Sequence, residues 1–287
     1  MDLKPYIMDV EKQKLNVEGI IVFQRGKAQA QRWAPEERRN IHSVSKSFAS
    51  IAIGMAIDEG SMKLSDRLTG AFPRKKPDPR WDALNLEQLL TMSMGKAEFS
   101  RPRSLEEAFE NELVNDPGTV FRYDNTCTFL ASAMLTKATG LNLRDYLLDR
   151  LFSPLGIADP EWEESDDGYT RAGSGLCLST SEMLLFGRLL LQKGSWEGRQ
   201  LVSSSWIEAA TRTHIIKYVS NKKNADYGYG YGYQFWICPH GAFRCDGTGG
   251  QFIVVFPALD AVAAINSEEE NMMPVLTAVW DHILPQL

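Results

Sequence analysis

The stretch "HSVSKSF", residues 42–48, stands immediately before the apolar run "ASIAIGMAIDEG". Ser43 and Lys46 are three residues apart, so on a helix they share one face. A hydroxyl beside an amine suits acyl transfer. Partial burial and neighbouring charge lower the lysine pKa, and the neutral amine then takes the serine proton. The N–H groups of a first helical turn lack intrahelical partners and can face a developing oxyanion. The S-x-x-K string alone is weak, because it recurs at Ser93–Lys96 and Ser220–Lys223. Context separates the three. Ser93–Lys96 contains Gly95 in a Met-rich turn, and Ser220–Lys223 falls in the polar "SNKKN". Only Ser43–Lys46 opens a strongly periodic helix.

A second pattern supports the first. "FRYDNT", residues 121–126, holds the one Y-x-N of the chain and also precedes an apolar helix. A phenol near an ammonium can be biased toward phenolate and shuttle protons. The Asn125 amide can hold both a substrate carbonyl and the lysine. A core-facing Tyr before an N-cap Asn is common by itself. Two uncommon motifs in this order, about eighty residues apart, are not.

The surrounding elements follow from periodicity. Residues 19–33 read as two strands around Arg25-Gly26. From residue 43, Val44, Phe48, Ile51, Ala52 and Met55 recur at helical spacing and imply one buried face, with Gly60 as a stop. Residues 61–120 are loop-rich with short helical pieces at Leu84–Met92 and Leu105–Leu113. Asn125 is placed to cap a helix over Thr126–Thr139 before Gly140, and another runs from Leu143 to Phe152. Ser179 and Glu182 have capping-box spacing. From residue 227 the texture turns to strands, "YGYGYGYQFWI", "FIVVF" and "AVAAI", and then to a C-terminal helix. The tyrosine–glycine run reads as a strand entrance whose glycines allow close packing. Gly173-Ser174-Gly175 is no G-x-S-x-G elbow, which disfavours an α/β-hydrolase.

These blocks, with "LEQLLTMSMG", "PGTVFRYDNT", "LFSPLGIADPEW" and "GTGGQFIVVFPALD", resemble in order the serine β-lactamase/D,D-peptidase superfamily over nearly the whole chain. The sequence is most similar to its class C-like branch, with family VIII carboxylesterases and 6-aminohexanoate-oligomer hydrolases. The resemblance implies an α+β fold of the β-lactamase type, an antiparallel sheet flanked by helices with a mainly helical subdomain. Residues 1–60 and 175–287 would form the sheet domain and 61–174 the helical one, with the cleft between. It also implies Ser43 as nucleophile, Lys46 as its activating partner, Tyr123 as acid/base and Asn125 as a positioning amide.

The third family motif departs from its usual form. Many members carry Lys-Thr-Gly or His-Thr-Gly on the strand lining the site, where this chain has "RCDGTGGQF", 244–252. The basic position falls on Cys245 or Gly247, and neither is basic. Gly247, Thr248 and Gly249 are the candidate third-motif residues, with the Thr248 N–H as an oxyanion donor. Such a donor is worth roughly 3–4 kcal/mol. A missing base weakens the grip on a substrate carboxylate and favours neutral esters or amides over β-lactams, unless Arg244 or His240 substitutes.

Composition sets the outer bounds. The chain has 287 residues, a net charge of −6 and 24% charged residues. The acidity argues against nucleic acid and anionic lipid as partners. The apolar runs are too short to span a bilayer. Four scattered cysteines and four histidines give neither a disulfide framework nor a metal site, and no cofactor is expected. "MDLKPYIMDVEKQKLN" lacks a signal-peptide layout, which points to the cytoplasm or to a removed leader. The expected partner is a small ester, amide or β-lactam. A non-catalytic binding module on the same fold is the rival outside enzymes, and no oligomeric state is assigned.

Overall fold

The computed structural model describes residues 1–73, 78–110, 112–218 and 222–287, with the backbone alone for 222–224. The string at Ser220–Lys223 therefore lies outside the described residues. Six strands form the main sheet: β1 (Val17–Gln24), β2 (Lys27–Arg32), β3 (Trp236–Ile237), β4 (Phe243–Gly247), β5 (Gln251–Phe256) and β6 (Ala261–Ser267). Their order is β2-β1-β6-β5-β4-β3, antiparallel throughout. The sheet thus joins the two ends of the chain, with Ile20 opposite Ile265 and Val22 opposite Ala263. Arg25 and Gly26 both have positive φ, as a two-residue hairpin of this hand requires.

Both faces of the sheet are covered, which is why β1 reads as a continuous apolar run rather than an alternating one. On one face α1 (Lys4–Gln13) sets Tyr6 and Val10 against Ile20 and Val254. The opposite face meets α2 (Ser45–Asp58) and, later in the chain, α4 (Thr180–Leu191), with α3 (Asn125–Thr139) lying beyond α2. Gly187 lets α4 touch the sheet, since a Cβ there would lie 2.6 Å from Val262 and 2.7 Å from Ile253. The expected capping box at Ser179 and Glu182 is formed. α5 (Met273–Ala278) closes the first face.

Periodicity suggested one buried face for α2, but every residue from Ser45 to Ala56 is buried. The helix is wedged between the sheet and α3, so it is surrounded on all sides, as a helix that is apolar all round must be. Phe48 stacks on Phe186 at 3.7 Å and faces Phe152 at 6.0 Å. The short helices at Leu86–Leu90 and Leu105–Glu110 are smaller than the sequence suggested. Leu143–Leu147 continues as a π-turn, Leu148–Phe152. The tyrosine–glycine run is mostly bends, with Tyr231 bridging Trp236 and Ile215 where the chain enters β3. Its glycines do serve close packing: a Cβ on Gly232 would lie 2.0 Å from Ala210 O. Among the described residues no helix is long and apolar enough to cross a membrane.

Candidate active site

Ser43 lies in a 3-10 turn, His42–Val44, that feeds directly into α2. His42 has φ +50°, and its N–H donates to Asn40 Oδ1 at 2.8 Å, which fixes the bend. Three residues on, Lys46 is only 1% exposed. Its Nζ stands 3.0 Å from Ser43 Oγ and donates to Asn125 Oδ1 at 2.5 Å and to Gly173 O at 2.7 Å. Both of these acceptors are neutral carbonyls, and no carboxylate makes an ion pair with Nζ among the described residues. Burial therefore dominates and lowers the Lys46 pKa to about 7, with Asp124 pulling the other way and Arg101 reinforcing the fall. A neutral amine has two N–H groups and one lone pair. Asn125 and Gly173 engage the two N–H groups, and the lone pair is left for the Ser43 hydroxyl.

Gly173 O reaches the amine because the chain turns sharply at Ala172, which has φ +54° while fully buried. The approach is tight: a Cβ on Gly173 would lie 3.0 Å from Asn125 Oδ1. In the sequence Gly173 stands only in a Gly-Ser-Gly stretch that is no G-x-S-x-G elbow, and nothing there signals this role. Asn125 itself is not the cap of α3. Asp124 accepts the Thr126 N–H at 2.7 Å and caps the helix, which leaves the Asn125 amide free for Lys46.

The Tyr123 ring lies 4.8 Å from Lys46 Nζ and stacks on Trp236 at 5.6 Å. Burial raises its pKa well above the usual tyrosine value, and bonding to Ser43 is the main opposing influence. The expected bias toward phenolate is thus reversed, because desolvation opposes the anion and outweighs the bond to Ser43. Tyr123 is a phenol.

Ser43, Tyr123 and Thr248 line one cavity of about 280 Å3, together with Trp236, Asp246 and Lys217. Strand alternation on β4 turns Asp246 inward. Gly247 packs where a Cβ would lie 2.5 Å from Ile41 O, so the hairpin can press against the Ser43 turn. Gly249, with φ +86°, faces Ser267 O and does not line the cavity. The N–H groups of Ser43 and Thr248 have no backbone partner among the described residues. Both residues line the cavity.

Neither proposed position of a third-motif base is cationic, and Arg244 does not replace it. Arg244 is fully buried and donates to Asp246 Oδ2 at 2.9 Å. His240 is exposed on a turn. The cation at the cavity is Lys217, whose Nζ lies 4.9 Å from the Tyr227 ring centre and 5.6 Å from that of Trp236. Among the described residues it forms no salt bridge; burial lowers its pKa, and Asp246 on the same cavity wall pulls the other way. Its stretch, "HIIKYVS", carries no local signal of such a position.

A profile of the Beta-lactamase family matches residues 6–286. The chain belongs to the Beta-lactamase family. Within it, the chain is 27% identical to a Beta-lactamase of Escherichia coli K12 over 166 residues, 52% of this chain and 44% of that protein. It is 24% identical to a 6-aminohexanoate-dimer hydrolase of Paenarthrobacter ureafaciens over 202 residues, 62% of this chain and 51% of that protein. The chain thus spans about half the length of the curated relatives it matches. A solved structure, the octameric penicillin-binding protein homologue from Pyrococcus abyssi, superimposes with a TM-score of 0.80 at 20% identity. That match covers 100% of this chain and 78% of the other. The Beta-lactamase family fold, an antiparallel sheet flanked by helices, is the one the sequence resemblance implied.

Proposed function

We propose that the protein is a serine hydrolase that cleaves a small ester or amide through an acyl-enzyme. The observation that carries this reading is the coordination of Lys46. Two carbonyls hold its N–H groups, and its remaining direction meets Ser43 Oγ at 3.0 Å. Ser43 Oγ attacks the substrate carbonyl carbon while its proton passes to Lys46. The oxyanion is received by the N–H groups of Ser43 and Thr248. Tyr123, a phenol, protonates the leaving group and recovers a proton from Lys46 as the C–O or C–N bond breaks. Water then attacks the acyl carbon, and its proton returns through the same pair to Ser43. Residues 1–60 and 175–287 would supply Ser43, Lys46 and Thr248, and the helical part, 61–174, would supply Tyr123 and Asn125.

The substrate side of the cavity supports a wider range than the sequence did. Lys217 on an aromatic wall, without a salt bridge among the described residues, suits a carboxylate on the acyl or leaving group, such as that of a 6-aminohexanoate unit. The same cation gives a second reading, β-lactam hydrolysis, its one structural support. A binding module without catalysis has no account of a lysine stripped of counter-charge beside a hydroxyl. The test is a fluorophosphonate probe and p-nitrophenyl butyrate applied to the protein and to Ser43→Ala, with a chromogenic cephalosporin in parallel. The expected result is an adduct on Ser43 by mass spectrometry and ester turnover that the variant lacks. No adduct and no turnover in either protein would overturn the reading.

A further inference from the structure

A second buried lysine lies behind Asn125. Lys96 is 2% exposed, and its Nζ stands 3.5 Å from Asp124 Oδ1 and donates to Thr126 Oγ1 at 3.0 Å and to Ser100 Oγ. Asp124, 1% exposed, uses both oxygens at the same corner. Oδ1 accepts the Thr126 N–H that caps α3, and Oδ2 accepts the Ser100 N–H at 2.7 Å. One carboxylate therefore fixes the point from which Tyr123 and Asn125 enter the site. That placement carries a risk for catalysis, because an anion this near Lys46 favours its ammonium form.

We propose that Lys96 is a positioning residue for the reaction: it balances Asp124, so that a carboxylate can anchor Tyr123 and Asn125 without holding a proton on Lys46. The inference rests on the reading of Lys46 as proton acceptor. The other groups facing Lys46 leave Asp124 as the charge that needs balancing. Arg101, from the loop before the short helix Leu105–Glu110, opposes the ammonium. Asp246 on β4 is already paired with Arg244. Burial raises the Cys127 thiol and the Tyr123 phenol, so both are neutral. Burial also lowers the Lys96 pKa, and Asp124 counters it through both charge and hydrogen bond.

The test measures the rate of Ser43 labelling by a fluorophosphonate against pH, and kcat/KM for p-nitrophenyl butyrate beside it. Four proteins are compared: the parent, Lys96→Met, Asp124→Asn and the double variant. Lys96→Met should move the acid limb upward by about one pH unit, a roughly tenfold loss of rate below the limb with the alkaline plateau kept. Asp124→Asn should move it downward, and the double variant should return near the parent. If Lys96→Met does not fold, the other two variants still decide. An unmoved limb in every folded variant, with only the plateau changed, would make Lys96 purely structural and overturn the inference. Absence of labelling in the parent at any pH would instead overturn the acyl-enzyme reading beneath it.

Discussion

Lys46 and Lys96 each close an S-x-x-K string, each lies in the core, and each is surrounded in the opposite way. Three neutral oxygens face Lys46 Nζ, and burial lowers its pKa to about 7. A carboxylate and two hydroxyls face Lys96. Burial lowers both amines, but beside Lys96 the Asp124 carboxylate opposes that fall through charge and a hydrogen bond, whereas no carboxylate bonds Lys46 among the described residues. The string says nothing about which case holds. The partners do: Asn125 and Gly173 for Lys46, Asp124, Thr126 and Ser100 for Lys96.

The largest effect that could break this comparison is at the hydroxyl. Ser43→Ala should lower ester turnover by roughly 10⁴- to 10⁶-fold, read by initial rates, whereas Ser93→Ala should leave the rate within a few-fold. Next, Lys46→Met should cost turnover roughly 10²–10⁴-fold and yet stabilise the fold. The sign follows from linkage. The folded pKa near 7 lies below the unfolded value of about 10.4, so the unfolded chain holds the extra proton between them and native stability rises with pH across that window. Lys46→Met should remove that rise, with its gain greatest at pH 7 and below; urea melts at pH 6.5 and 9.5 would show it. Lys96→Met should do the reverse and destabilise by about 3–5 kcal/mol, since it strands a buried carboxylate.

Two smaller effects sharpen the picture. Gly173→Ala should displace the Asn125 amide and lower kcat by roughly 10- to 100-fold, with thermal stability as the control. Lys217→Gln should raise KM about tenfold for a substrate bearing a carboxylate and leave p-nitrophenyl butyrate unchanged. Equal effects on both substrates would remove Lys217 from recognition.

How much of this was legible in the sequence depends on range. The strands of both chain ends, the helix after Ser43 and the capping box at Ser179 rest on local pattern, and each is present. The Ser43–Lys46 contact is likewise local, three residues apart. Gly173 was out of reach because a backbone carbonyl has no residue type to announce it. Lys96–Asp124 spans 28 positions and joins two loop-rich segments without periodicity. Asp124 and Asn125 are both good caps, and only the helix start decides between them. The Tyr123 phenolate failed for another reason: its charge state depends on burial, which neighbouring residues in the chain do not reveal.

The pairing of β1 with β6 has a consequence in time. About 240 residues separate the two strands, and at 5–20 residues per second a ribosome needs on the order of 12–50 s to make them. Throughout that interval the apolar "GIIVF" strand has β2 on one edge and nothing on the other, the arrangement most open to pairing with a foreign strand. The hairpin carrying Thr248 emerges in the same late window. The nascent chain therefore carries Ser43 from early in its synthesis but completes the pocket around it only near the finish.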